Sequence, residues 1–203
     1  MNRNEFKAKY LAIIDPIDVR WHYESYEPGL WVKHEIARFV NPKVIVEIGV
    51  RSGYSAWAML QAVPGVRFVG YDNYSPLYAE GFGERLSDKF EQWAHKLLDS
   101  LGVTFVKQDS QQPGFVPEKA DLYHVDGDHR YEFAKHDIEN CIRAGAPNSV
   151  IVVHDYLAKC VSDACRDAVK GTDRVVFGIP EARNGDGLIT VGSTPEWAKA
   201  LGF

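Results

Sequence analysis

From residue 43 onward, short β-branched runs alternate with stretches long enough for amphipathic helices, and this alternation limits the fold more than any other feature. Val44-Ile45-Val46-Glu47-Ile48 reads as a parallel strand buried on both faces, where an almost continuously apolar run is expected. Residues 54–63 follow as a helix closed by Pro64-Gly65, and Arg67-Phe68-Val69-Gly70-Tyr71 is the second strand. A loop over about 73–83 leads to a long amphipathic helix over 84–101, stopped at Gly102. Val103–Lys107 and Asp121–Val125 are the third and fourth strands. A helix over about 130–144 ends at Gly145, Val150–Val153 is the fifth strand, and a further helix runs to about Lys170-Gly171. Arg174–Gly178 and Leu188–Val191 are strand-like, and Asn184-Gly185-Asp186-Gly187 between them signals an antiparallel hairpin. Ser193-Thr194-Pro195-Glu196 has the form of a capping box before a last helix.

The expected architecture is α/β: a doubly wound, mostly parallel seven-stranded sheet with helices on both faces and a C-terminal antiparallel hairpin. Right-handed crossovers gather the strand C-termini along one edge, and ligands bind in that crevice. At 203 residues and 45% hydrophobic, the chain fits one domain with a real core. Residues 43–203 form its α/β core and residues 1–42 an N-terminal helical cap, with a helix over about 28–40 ended by Asn41-Pro42. The aromatic run Trp21-His22-Tyr23-Glu24-Ser25-Tyr26 reads first as packing over the sheet edge, and second as a lid over a ligand site.

A net charge of -5 argues against a nucleic-acid surface. No apolar stretch approaches membrane-spanning length, and the N-terminus lacks the apolar run of a signal peptide. Cys141, Cys160 and Cys165 have no C-x-x-C spacing, which suits reduced thiols in a cytoplasmic protein. Self-association as a homo-oligomer is left open.

The polar residues follow the strands. Glu47-Ile48-Gly49-Val50-Arg51-Ser52-Gly53-Tyr54-Ser55 ends the first strand and opens a helix, whose N-terminal N–H groups suit an anionic group such as a carboxylate. The dinucleotide fingerprint G-x-G-x-x-G would need glycines at 49, 51 and 54; Arg51 and Tyr54 stand instead, which counts against a nicotinamide dehydrogenase. The fourth and fifth strands end in Asp126, Asp128, His129, His154 and Asp155. So many carboxylates at one rim call for a cation, and oxygen-rich ligation suits Mg²⁺, Mn²⁺ or Ca²⁺. An imidazole in the set tilts toward transition metals. Asp128 serves equally well as a helix N-cap, and His124, inside a strand, reads as a hydrogen-bonded core histidine.

The acid-x-G-x-x-x-G-Y-S pattern at Glu47–Ser55 resembles motif I of class I S-adenosylmethionine-dependent methyltransferases, closest to the catechol O-methyltransferase-like branch. The resemblance implies a Rossmann-like methyltransferase fold and places Glu47, Gly49, Arg51, Gly53, Tyr54 and Ser55 against the cofactor. It assigns Asp72 to the ribose hydroxyls, Asp109, Ser110 and Gln111 to the adenine, and sets Asp126 beside the donor. The Asp126-Gly127-Asp128-His129-x-Tyr131-Glu132 block also resembles metal-dependent macrolide sugar O-methyltransferases. That likeness implies Asp126 and Asp155 as metal ligands and His129 as general base, with His154, standing where the family has an acid, as a further ligand through a ring nitrogen. The implied activity is metal-assisted O-methylation of a hydroxylated small molecule, a sugar or a diol. An imidazole near its ordinary pKa of roughly 6.5 suits proton removal at neutral pH. The competing readings are a metal-dependent hydroxylase and a non-catalytic cofactor-binding module on the same fold.

Overall fold

The computed structural model describes residues 1–14, 26–75, 86–179, 185–192 and 195–200. Its centre is β1 (Val44–Ile48), whose alternate residues serve two different layers. Ile45 joins one apolar cluster and Val46 and Ile48 the other, all buried. Burying each such side chain contributes roughly 1.5–3 kcal/mol, so an apolar strand covered on both sides is the stable outcome. The other strands are β2 (Arg67–Asp72), β3 (Thr104–Lys107), β4 (Leu122–Val125), β5 (Val150–His154), β6 (Arg174–Ile179) and β7 (Asp186–Val191). They form one seven-stranded sheet in the order β3-β2-β1-β4-β5-β7-β6. β1 to β5 pair in parallel, and β7 runs antiparallel to both β5 and β6. The order reverses between β1 and β4, so the crevice opens beyond the C-terminal ends of those strands.

One layer holds α1 (Arg3–Ile13), α2 (Glu27–Val40), α3 (Tyr54–Ala62), α4 (Leu86–Leu98) and α7 (Glu196–Ala200). The other holds α5 (Tyr131–Ala144) and α6 (Lys159–Ala168). The sequence reading had no helix at α1. Its charged composition hides a stripe of Phe6 and Tyr10, and a capping box between Asn2 and Glu5 starts it. Phe6 then packs on Trp31, His34 and Trp57 at ring separations of 5.3, 5.2 and 5.3 Å. The helix expected over 84–101 is α4 plus a 3₁₀ turn at Asp99–Leu101, ended by Gly102 in the left-handed region. Gly145 stops α5 differently. Its φ is -63°, and a Cβ there would lie 2.3 Å from Ser149 Oγ, so close approach rather than a left-handed turn requires the glycine. Trp21–Ser25, most of the 73–83 loop, Asn184 and Ser193-Thr194 lie outside the described residues. Among the described residues no helix is long and apolar enough to cross a membrane.

Candidate active site

Beyond the C-terminal ends of β1, β2 and β4 lies a cavity of about 750 Å³. Its walls come from the β1–α3 loop, Asp72 to Ser75, Gln108 to Gln111, Asp126 to Arg130, His154 and Asp155, with Tyr10, Tyr26, Leu30 and Lys33 from the N-terminal helices. Of the residues expected at the cofactor, all but Glu47 line it.

Glu47 is fully buried and does not reach the cavity surface. Ser55 Oγ donates to Glu47 Oε1 at 2.5 Å, and His124 Nδ1 lies 2.6 Å from the same oxygen. Burial pushes this carboxyl's pKa up, against the pull of His124 and Ser55. Glu47 therefore ties the first turn of α3 to β4, and His124 is the core histidine the sequence suggested.

Gly49, at φ +88°, lets two loops meet: a Cβ there would stand 2.1 Å from the Asp126 carbonyl oxygen. The Gly49 and Asp126 amides each extend the sheet, donating to Tyr71 O and Ile48 O at 2.8 Å. Gly53 caps α3 at φ +83°. Arg51 contributes its backbone amide to Asp72 Oδ2 at 2.8 Å, while its guanidinium lies 4.7 Å from the Phe90 ring centre. The Tyr74 amide donates to Asp72 Oδ1 at 2.7 Å. The Val50 amide binds Asp72 as well, so three backbone donors shape the loop, out of about four acceptor sites on a carboxylate. Burial raises the Asp72 pKa.

In the β3 loop, the Gln111 amide donates to Asp109 Oδ1 at 2.9 Å, closing a turn. Gln111 Nε2 donates to Asp137 Oδ1 at 2.9 Å and Ser110 Oγ at 3.1 Å. Sequence reasoning missed Asp137. It lies on α5, is fully buried, and burial raises its pKa to about 7 despite hydrogen bonds from Ser110 and Gln111. The folded chain binds this proton more tightly than the unfolded chain, where the value is near 3.8. The associated stabilisation is complete below that value and is lost as pH rises through about 7. Asp137→Asn is therefore expected to be more stable than the wild type at pH 8, by on the order of 2 kcal/mol, with the gain vanishing near pH 4. Urea denaturation at both pH values checks this; equal gains at both would refute it.

At the rim, Asp126, His129, His154 and Asp155 meet. His129 Nε2 is 3.3 Å from Asp126 Oδ1, and Nδ1 is 2.9 Å from Asp155 Oδ2. The contacts with Asp126 and then Asp155 raise the imidazole's pKa to about 10, not the ordinary value the sequence suggested. Asp126 and Asp155 are both lowered: burial is the largest single influence and opposes ionisation, but His154, His129 and His124 together outweigh it at Asp126, as His129 and His154 together do at Asp155. Asp155 occupies the left-handed region at φ +57°, a strained conformation for a non-glycine residue at a functional rim. Asp128 is exposed and bound to Arg130, accepting its amide at 2.9 Å just before α5.

The rim's donors do not fit a divalent ion. The His129 ring stands between the two carboxylates that would share it. His154 Nδ1 is 3.0 Å from Asp186 Oδ1, leaving only Nε2, 3.5 Å from Asp155 Oδ1. Among the described residues, no group of three or more His, Cys, Asp or Glu side chains is arranged to hold a metal. Two residues at this end went unnoticed in the sequence, Lys33 and Asp186. A lysine in the buried stripe of α2 with Leu30 and Ala37 was the available signal for the first. Asp186 was read as part of a turn and instead opens β7.

Sheet order and motif position together define the Rossmann-like class I methyltransferase fold. The chain belongs to the family described as a methyltransferase domain, which matches residues 46–156. A relative, the uncharacterized protein y4gI of Sinorhizobium fredii, is 31% identical over 137 residues, covering 63% of this chain; the match spans only 14% of that protein's own length. Among solved structures, the O-methyltransferase TomG of Streptomyces achromogenes, involved in tomaymycin synthesis and bound to S-adenosylmethionine, has a TM-score of 0.58 at 20% identity, over 82% of this chain and 81% of that one. The Podospora anserina methyltransferase PaMTH1, bound to S-adenosylhomocysteine, has a TM-score of 0.60 at 17% identity, over 80% and 77%. The O-methyltransferase of Bacillus cereus, also bound to S-adenosylhomocysteine, has 0.59 at 13% identity, over 93% and 90%.

Proposed function

We propose that the chain transfers a methyl group from S-adenosylmethionine to a hydroxyl of a small molecule, a sugar or a diol. The observation that carries this reading is the single cavity wall running from the β1–α3 loop through Asp72 and the β3 loop to Asp126 and His129. The residues fit a charged nucleoside donor. The N-terminal turn of α3 suits its carboxylate, Asp72 has about one acceptor site left for a ribose hydroxyl, and Ser110 and Gln111 border the base. When bound, the donor supplies a methyl on a sulfonium.

The chain's own task is to align a hydroxyl and take its proton. The 3.3 Å contact from His129 to Asp126 is long for a charge-assisted hydrogen bond, so an acceptor hydroxyl can replace it. Doing so removes the largest cause of the raised imidazole pKa and leaves Nε2 facing the hydroxyl. Asp155, 2.9 Å from Nδ1, holds the proton on that nitrogen and orients the ring. Alignment of this kind supplies up to roughly 7–11 kcal/mol in favourable cases. Metal assistance, implied by the resemblance, is left out of this reading: Asp155 Oδ1 is buried without a hydrogen-bond partner, but His154 Nε2 at 3.5 Å is its neighbour and no third His, Cys, Asp or Glu among the described residues completes a metal-holding group with them.

Calorimetric titration with S-adenosylhomocysteine tests it. One molecule per chain is expected to bind, and Asp72→Asn to weaken binding roughly 10- to 100-fold, the loss of a charge-assisted hydrogen bond. No binding by the wild type would refute the reading. Oxygen consumption in place of methyl transfer would favour the hydroxylase.

A further inference from the structure

The acid-rich rim calls for a cation, and the chain carries one in α2. The Lys33 ammonium donates to both oxygens of Asp186 at 3.0 Å and lies 3.5 Å from His154 Nδ1. Lys33 is 3% exposed and Asp186 fully buried. A buried lysine without a carboxylate partner is strongly unfavourable, so this pairing across the fold is specific. Asp186 stands opposite His154 in the β5–β7 register and lies 3.0 Å from its Nδ1. His154 Nε2 then faces Asp155, and Asp155 faces His129. One continuous series of polar contacts runs from α2 to the imidazole that faces the acceptor. Across the rim, Asp126, Asp155 and Asp186 are matched by Lys33, His129 and His154.

We infer that Lys33 is the positioning residue of the acceptor end, a cation built into the chain that holds Asp186 and, with it, the Nδ1 side of His154, and that the rim so ordered binds no divalent ion. This rests on reading the cavity as a methyltransferase site. Lys33 also lines the cavity, so α2 carries both part of the acceptor wall and the charge that orders the rim.

The test is Mn²⁺ titration followed by electron paramagnetic resonance, with saturating S-adenosylhomocysteine, on the wild type, Lys33→Met and Lys33→Arg. The wild type and Lys33→Arg are expected to leave Mn²⁺ free up to millimolar concentration. Lys33→Met, having lost one positive charge beside the acids, is expected to bind Mn²⁺ at least tenfold more tightly. A purely structural lysine would produce no such gain. One Mn²⁺ held per wild-type chain at micromolar concentration overturns the inference, as does a folded Lys33→Met with unchanged Mn²⁺ affinity. Should Lys33→Met fail to fold, the wild-type titration alone decides. Failure of the wild type to bind S-adenosylhomocysteine would sink the methyltransferase reading instead, and is read separately by calorimetry.

Discussion

Replacement of His129 by alanine is expected to lower turnover by roughly 10²- to 10⁴-fold, the usual contribution of a positioned acid–base group, while leaving S-adenosylhomocysteine affinity within about twofold. The separation follows from the geometry. His129 sits at the acceptor end, between Asp126 and Asp155, whereas the cofactor end is shaped by Gly49, Asp72 and the β3 loop. Asp155→Asn should act in the same direction with a smaller loss, because it leaves the imidazole present but weakly oriented. The measurement is steady-state methyl transfer to the best acceptor in a panel of catechols and sugars, alongside calorimetry. Undiminished turnover in His129→Ala would remove that residue from the reaction. An equal loss of cofactor affinity would mean that it supports the donor instead.

Gly49→Ala is expected to cost several kcal/mol of stability and to abolish cofactor binding in whatever fraction folds. Two effects combine. A residue with a Cβ in the left-handed region costs about 1–2 kcal/mol. The new methyl group would also stand 2.1 Å from the Asp126 carbonyl oxygen and 2.5 Å from its carbon, both backbone atoms that cannot rotate away. Overpacking of this kind adds typically about 1–3 kcal/mol. The loops after β1 and β4 must then separate, and both line the cavity. Gly65→Ala is the control for positive φ alone, since no atom lies within 4 Å of its Cβ position. Similar denaturation midpoints for the two variants would contradict the close-approach argument.

Much of this was legible locally. The period of the apolar runs marks β1 to β5 because a buried parallel strand leaves its record in consecutive residues. The loop at Glu47–Ser55 and the acids at strand ends were visible because topology fixes where strand ends meet. What escaped were pairings across long stretches of chain. Lys33 and Asp186 are 153 positions apart, and neither neighbourhood names the other. Glu47 looked like a cofactor ligand since its position in the motif says nothing about His124, 77 positions away on β4. Gly49 was expected to admit a ligand, and its nearest constraint proves to be the Asp126 backbone. Asp137 was hidden within an ordinary amphipathic helix, where an acid reads as solvated until the loop covering it is known. The arrangement of the rim therefore depends on contacts that periodicity does not encode.

The most direct measurement is a crystal structure grown with S-adenosylhomocysteine. The nucleoside is expected along the β1–α3 loop, with a ribose hydroxyl on Asp72, its base beside Ser110 and Gln111, and its sulfur toward Asp126 and His129. Density for the ligand anywhere else, or a cavity that admits none at saturating concentration, would contradict the account.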